Sequence, residues 1–287
     1  MVRFVKWLLR LLTDAWQSLD DEQQVAGAEG RNPWLVFYIF AVVTASLVLQ
    51  EYLGNEATLL SIVQFADAHK LLVQFPFLAG LTGLDPEAAV SLRTQLVVND
   101  YYALVVLCYW AAWRVFGFLV IPAAAVALHP ALRKRPLGLS FHGIVKHLWI
   151  YGVLFFLVLI PVFIVSFFGE FQDYYPFYSN AGRSVFEFVV WESFYIAQFF
   201  SLEFFFRGFM IQPLRKEMGS SAIFAMMIPY VMIHIGKPMA ECFGAIFAGI
   251  VLGTLAIRTR SIWCGFFIHV SVALSMDLLS LWQKSRM

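Results

Sequence analysis

An all-α, polytopic membrane helix bundle is the fold class this sequence predicts, and three observations predict it. Of its 287 residues, 61% are hydrophobic and only 14% are charged, where an average soluble chain carries roughly 25% charged residues. Mean hydropathy is +0.74, which leaves too little polar surface to clothe a folded body in water, so the solvent is lipid. The apolar residues also fall into seven stretches of about the length, some 20 residues, that crosses a hydrocarbon core of roughly 30 Å: 34–53, 101–128, 147–168, 187–210, 220–236, 240–257 and 262–282. A net charge of +1 excludes the concentrated basic surface of a nucleic-acid binder. Cys108, Cys242 and Cys264 lie inside apolar runs without C-x-x-C spacing, which indicates neither a disulfide framework nor a thiolate zinc site.

Residues 1–30 read as an N-terminal interfacial helix followed by a linker. Phe4, Leu8, Leu11, Leu12, Ala15 and Leu19 recur at helical spacing, with Arg3, Lys6, Arg10 and Asp14 opposite, the pattern of a helix lying in the membrane surface. Arg10 interrupts the apolar run, so the segment is not a cleaved signal. The acidic, glycine-containing run 20–30 is expected to be the linker. Residues 31–186 hold accessory transmembrane helices and an external surface segment over 54–100, where Asp67, His69, Lys70 and a Gly/Pro-rich turn break the apolar runs.

Orientation follows from Lys and Arg beside the spans. Arg3, Lys6, Arg10 and Arg31, then Arg133, Lys134, Arg135 and Lys146, then Arg215 and Lys216, then Arg258 and Arg260 alternate along the chain. That places the N-terminus and those loops in the cytoplasm, with the protein integral to a bacterial inner (plasma) membrane. The loop 169–186 carries only Arg183 against Glu170 and Asp173, as an external loop should, while Lys284 and Arg286 run against the pattern.

Residues 187–287 carry the chemistry. Ionisable groups at membrane depth are costly and point to function, and four stand out: Glu203 and Arg207 in the fourth stretch, His234 in the fifth and His269 in the seventh. If the fourth stretch meets water near Gln212, Glu203 is nine residues inside, about 14 Å; His269 is likewise nine residues from Arg260. Gly219 lies 16 residues after Glu203 and 15 before His234, so an antiparallel hairpin there puts the two side by side. Such a hairpin needs the fourth helix to continue past Pro213, which should kink it. A carboxylate can act as general base toward water, and two neutral imidazoles can hold a divalent metal such as zinc or stabilise an oxyanion. Glu203 and Arg207, one turn apart, should pair. Each feature also has a structural explanation: a self-neutralising Glu–Arg pair and hydrogen-bonded core histidines. His69, His129, His142 and His147 lie at loops or span ends and read as structural. Gly244, Ala248, Gly249 and Gly253 form a small-residue stripe for close helix approach, and Phe204, Phe205 and Phe206 read as lipid contact and packing.

The order of Glu203-x-x-x-Arg207-Gly208, Tyr230-x-x-x-His234, Phe243-Gly244-Ala-Ile-Phe-Ala-Gly249-Ile-Val-Leu-Gly253 and Ser261-Ile262 before His269 resembles the CPBP family. That family comprises the type II CAAX prenyl endopeptidases and the bacterial intramembrane metalloproteases once called abortive-infection proteins. The resemblance runs from Glu187 to Asp277 and implies an all-helical intramembrane peptidase with a polar cavity open toward the cytoplasm, in which a Glu activates water beside two His. Its substrate would be a membrane-associated peptide or protein. Three positions depart from the family pattern. Leu202 stands where the family has its water-activating acid, leaving Glu203 as the second. Tyr230 replaces a Phe and adds a hydroxyl. Ala273 stands where a polar Asn or Asp usually follows the His by four. Asp277 is two turns from His269, about 11 to 12 Å along the axis, and Glu192 precedes Glu203 by eleven residues on nearly the same face. Two readings follow: an endopeptidase using Glu203, Arg207, His234 and His269, or an inactive relative that binds a membrane segment or lipid in the same cavity. A small transporter would fit the buried charges, but no repeated halves are visible.

Overall fold

In lipid a chain segment must satisfy its own backbone hydrogen bonds, which a single helix does unaided. The computed structural model describes residues 2–29, 31–65, 74, 92–141 and 144–285. Most of the external segment, with Asp67, His69 and Lys70, lies outside the described residues, as do His142, Arg286 and the side chains of Phe4, Leu8, Lys146 and His147. The longer helices are α1 (Val2–Glu29), α2 (Pro33–Leu53), α3 (Glu56–Phe65), α4 (Tyr102–Leu128), α5 (Ile144–Val165), α6 (Val185–Met218), α7 (Ser221–Met232), α8 (Met239–Thr259) and α9 (Trp263–Lys284). Among the described residues, six of them (α2, α4, α5, α6, α8 and α9) are long and apolar enough to cross a membrane. The expected seventh stretch, 220–236, is the correction. Its helix α7 has only 12 residues, about 18 Å, and gives way at Ile233 to a turn through Gly236, whose φ of +98° suits glycine.

The 34-residue helix α6 is the hub, packing against α1, α4, α7, α8 and α9. Every residue from 201 to 215 is buried. Phe205 and Phe206 are wholly enclosed, packed against Phe118, and Phe206 also against Tyr230, so this aromatic run packs on protein and does not face lipid. The helix does continue past Pro213, with a π-helical stretch over Phe204–Ile211 just before it. The wider turn accommodates the missing N–H and the ring of Pro213. The small-residue stripe is in use at two positions: a Cβ on Gly249 would lie 3.2 Å from Tyr230 and Met227, and one on Gly253 3.1 Å from Ile211. Gly244 faces open space.

The basic loops gather at one end of the bundle. Arg135 binds Glu217 at 2.6 Å and the Pro213 carbonyl at 3.1 Å, and Ile262 N–H donates to the Gly138 carbonyl. The amphipathic N-terminal helix lies across this end with Leu11, Leu12 and Leu19 buried against protein and Trp16 Nε1 donating to Thr254. The run 20–30, expected as a linker, instead continues α1 through Glu29, because its polar side chains dock on the end of α6. Gln23 donates to the Glu217 carbonyl, Arg215 pairs with Glu22 at 3.5 Å, and Asp20 Oδ1 accepts from Ser220 N–H at 2.7 Å. At the opposite end the loop 169–184 is stitched down: Phe177 N–H donates to Asp277 Oδ1 at 2.9 Å, Tyr175 O–H to Glu241 at 2.6 Å, and Lys284 Nζ to the Tyr175 carbonyl at 2.7 Å. Lys284, discordant by charge pattern, is thus used as a clasp.

Asp20 acts as an N-terminal cap of α7 supplied from α1. Asp20→Ala should destabilise the protein by about 1 kcal/mol, read as a lowered unfolding midpoint in detergent, and should loosen α1 to limited proteolysis at low protease.

Candidate active site

Glu203 lies midway along α6, wholly buried, as is Arg207. Its Oε1 is 3.1 Å from Arg207 Nη1 and 2.7 Å from His269 Nδ1 on α9. Neither approach has hydrogen-bond alignment, so charge holds the carboxylate. A glycine makes the approach possible: a Cβ on Gly265, one turn before His269, would lie 2.3 Å from Glu203 Oε2. Equal depth for Glu203 and His269 is therefore realised as contact.

His234 is reached through Tyr230. The Tyr230 hydroxyl is 2.8 Å from His269 Nε2, its backbone carbonyl accepts from His234 Nδ1 at 2.8 Å, and its ring carries the Arg207 guanidinium at 4.2 Å. A carbonyl only accepts, so His234 Nδ1 bears the proton and Nε2 keeps its lone pair. His234 makes no ion pair with Glu203; the Tyr230 ring packs on both imidazoles, at 4.8 and 6.2 Å between centroids. The hairpin count expected His234 beside Glu203; the structure brings Tyr230, one turn earlier, to His269 and Arg207. Glu192 and Asp277 face each other from α6 and α9, and with Asp277 holding Phe177 they serve the loop 169–184 and not Glu203. His129 packs on Tyr38, a structural role as expected.

A cavity of about 480 Å³ adjoins these residues. His234, Leu202, Gln198 and Phe199 form its inner wall, and Gly54, Asn55, Glu56, Gly236 and Lys237 lie toward its mouth. Those outer residues close α2 and form the α7–α8 turn, so this part of the cavity lies toward the end opposite the basic loops. Leu202 is on the cavity wall while its neighbour Glu203 is behind it, because successive helical residues point about 100° apart. Phe199 stacks on His269 at 5.7 Å and screens it from the cavity. Tyr174, on the rim and outside the spans, is pushed up to about 12 by burial first and then by Glu241 and Cys242, so it is a neutral phenol.

Joint zinc ligation by His234 and His269 does not fit this placement, because His269 meets a protein group at each ring nitrogen; His234, its Nδ1 on a carbonyl, keeps Nε2 open to a ligand. Among the described residues no three His, Cys, Asp or Glu side chains gather as a ligand set. The residues that pattern reading undervalued are Tyr230, Gly265 and Phe199; a lone tyrosine four residues before a histidine in an apolar helix was the available signal for the first.

These features define a class: a polytopic helical membrane protein with a buried acid–imidazole–phenol cluster beside a cavity. Residues 184–275 match the model of the family described as Rce1-like, type II CAAX prenyl endopeptidase, and that segment contains Glu203, Arg207, Tyr230, His234, Gly265 and His269. The match bears out the resemblance read from the motifs, and the segment is thus similar to a family of proteases. No curated protein and no solved structure matches the chain.

Gly265→Ala should displace the Glu203 carboxylate and destabilise the protein by about 1–3 kcal/mol. Gly152→Ala, with nothing within 4 Å of its Cβ, should be neutral or stabilising by up to ~1 kcal/mol. Unfolding midpoints of the two variants in one detergent check the contrast.

Proposed function

We propose that the protein is an intramembrane endopeptidase that hydrolyses a peptide bond in or next to the bilayer. The observation that carries this reading is His234 on the cavity wall, its Nδ1 fixed on the Tyr230 carbonyl and its Nε2 left with a free lone pair, with the Glu203–His269 contact behind. An apolar peptide segment lies against Phe199, Leu202 and Tyr195 on the cavity wall. His234 Nε2 takes the proton of the attacking water and returns it to the leaving amine, the ordinary cycle of a general base. Glu203 is the acid that fixes Arg207 and His269, not the base, because it is not on the cavity wall. The buried charge of Arg207 biases the site toward the oxyanion formed in the transition state. No step needs a metal. The N-terminus and basic loops lie in the cytoplasm of a bacterial inner membrane, and the cavity then opens on the non-cytoplasmic face. Membrane-anchored peptides or proteins presenting an apolar segment there are its substrates, and lipid surrounds the spans.

One observation favours a second reading, a binding protein without hydrolysis. Leu202 occupies the wall position where a carboxylate would meet water, so the cavity can hold a segment without cutting it.

Purified protein in lipid nanodiscs, given a library of membrane-inserted peptides, separates the two. The first reading expects cleavage, undiminished by chelators and lowered at least about a hundredfold in His234→Ala and Glu203→Gln. Peptide retention without cleavage in wild type, with cleavage gained in Leu202→Glu, would establish the second.

A further inference from the structure

We infer that Tyr230 is a positioning residue of the site: its hydroxyl, His269 and Glu203 form a relay of phenol, imidazole and carboxylate that holds His269 in one tautomer. The inference rests on the peptidase reading for its purpose but not for its existence. A carboxylate only accepts, so the 2.7 Å approach of Glu203 Oε1 to His269 Nδ1, although not aligned as a hydrogen bond, favours the proton on Nδ1. Nε2 then carries a lone pair, and the Tyr230 hydroxyl at 2.8 Å donates to it. Carboxylate, imidazole and hydroxyl in sequence are the arrangement by which a base is oriented by a third group. The last member here is a phenol.

His269 has no alternative partner on its own helix, since Ala273, one turn on, is apolar and packs among Trp191 and Tyr195. Its other side is covered by Phe199. Without the phenol, Nε2 would be a half-buried acceptor beside aromatic carbon, and the ring would be free to flip. Arg207 completes the set by lying over the Tyr230 ring at 4.2 Å. With His269 and Tyr230 neutral, net charge over the four groups is zero, so the cluster is tolerated in a low-dielectric interior. Tyr230 is 1% exposed, so it works through His269 and does not touch substrate.

The test is ¹⁵N NMR of the imidazoles in the full chain in nanodiscs, with His269→Gln used for assignment. In wild type His269 is expected as a single Nδ1–H tautomer with a hydrogen-bonded Nε2. In Tyr230→Phe the Nε2 resonance shifts to that of an unbonded acceptor and both tautomers appear, while His234, held by a backbone carbonyl, keeps its signal. Glu203→Gln, which leaves the phenol in place, weakens the Nδ1–H preference without freeing Nε2. In the peptidase assay Tyr230→Phe lowers kcat about tenfold, the equivalent of one orienting hydrogen bond, shifts the pH profile, and leaves KM unchanged. An unchanged His269 spectrum in Tyr230→Phe overturns the relay, whatever the activity. The expected spectra with no cleavage by wild type uphold the relay and refute the peptidase reading.

Discussion

The contact of Glu203 with Arg207 and His269, at 3.1 and 2.7 Å with the carboxylate and guanidinium wholly out of solvent, is the constraint from which the rest of the structure follows. Two opposite charges at membrane depth are tolerated only if they stay together, and His269 adds a polar partner from a second helix. The depth of α6 against α9 is thereby fixed to within a fraction of a turn. Gly265 exists in this geometry because the carboxylate occupies the space a side chain would need. Tyr230 follows too, since it must reach His269 with its hydroxyl and Arg207 with its ring, and Gly249 gives it room against α8. A helix too short to span, α7, is adequate because its task is to deliver Tyr230 and His234 to that depth.

The same contact divides the polar groups into two sets. Glu203, Arg207, His269 and Tyr230 form a neutralised, enclosed cluster, while His234 alone stands on the cavity wall with a free ring nitrogen. Leu202 and Phe199 are the partition. The chemistry of the site therefore depends on how the inner cluster acts through a one-residue wall: it orients and biases, and the outer imidazole does what touches the ligand. The loop 169–184, held by Asp277, Glu241 and Lys284, contributes Tyr174 and Phe177 to the cavity lining.

Much of this was legible in the sequence, for reasons that name its limits. Span positions came from apolar run length, a quantity lipid enforces directly, and α2, α4, α8 and α9 match to within a few residues. Glu203 and His269 could be paired because counting residues from a turn measures depth. Counting does not measure azimuth: equal distance from Gly219 puts His234 beside Glu203, whereas Tyr230 is the residue of that segment that reaches His269 and Arg207. Phe204, Phe205 and Phe206 were read as partly facing lipid because composition cannot distinguish a lipid-facing aromatic from one enclosed by protein; only the contacts of α6 on all sides decide it. The run 20–30 looked like a linker because its charges and glycines suit water, and it is helical because Asp20, Glu22 and Gln23 find partners on a segment some 200 residues away.

Coupling between Glu203 and His269 is the most direct test of these dependencies. Unfolding free energies of wild type, Glu203→Gln, His269→Ala and the double variant, measured in one detergent, close a double-mutant cycle. A coupling of about 1–3 kcal/mol is expected if the two side chains share one buried contact. Additivity to within about 0.5 kcal/mol would mean that Glu203 and His269 do not hold each other, and the assembly of the site around them would be wrong.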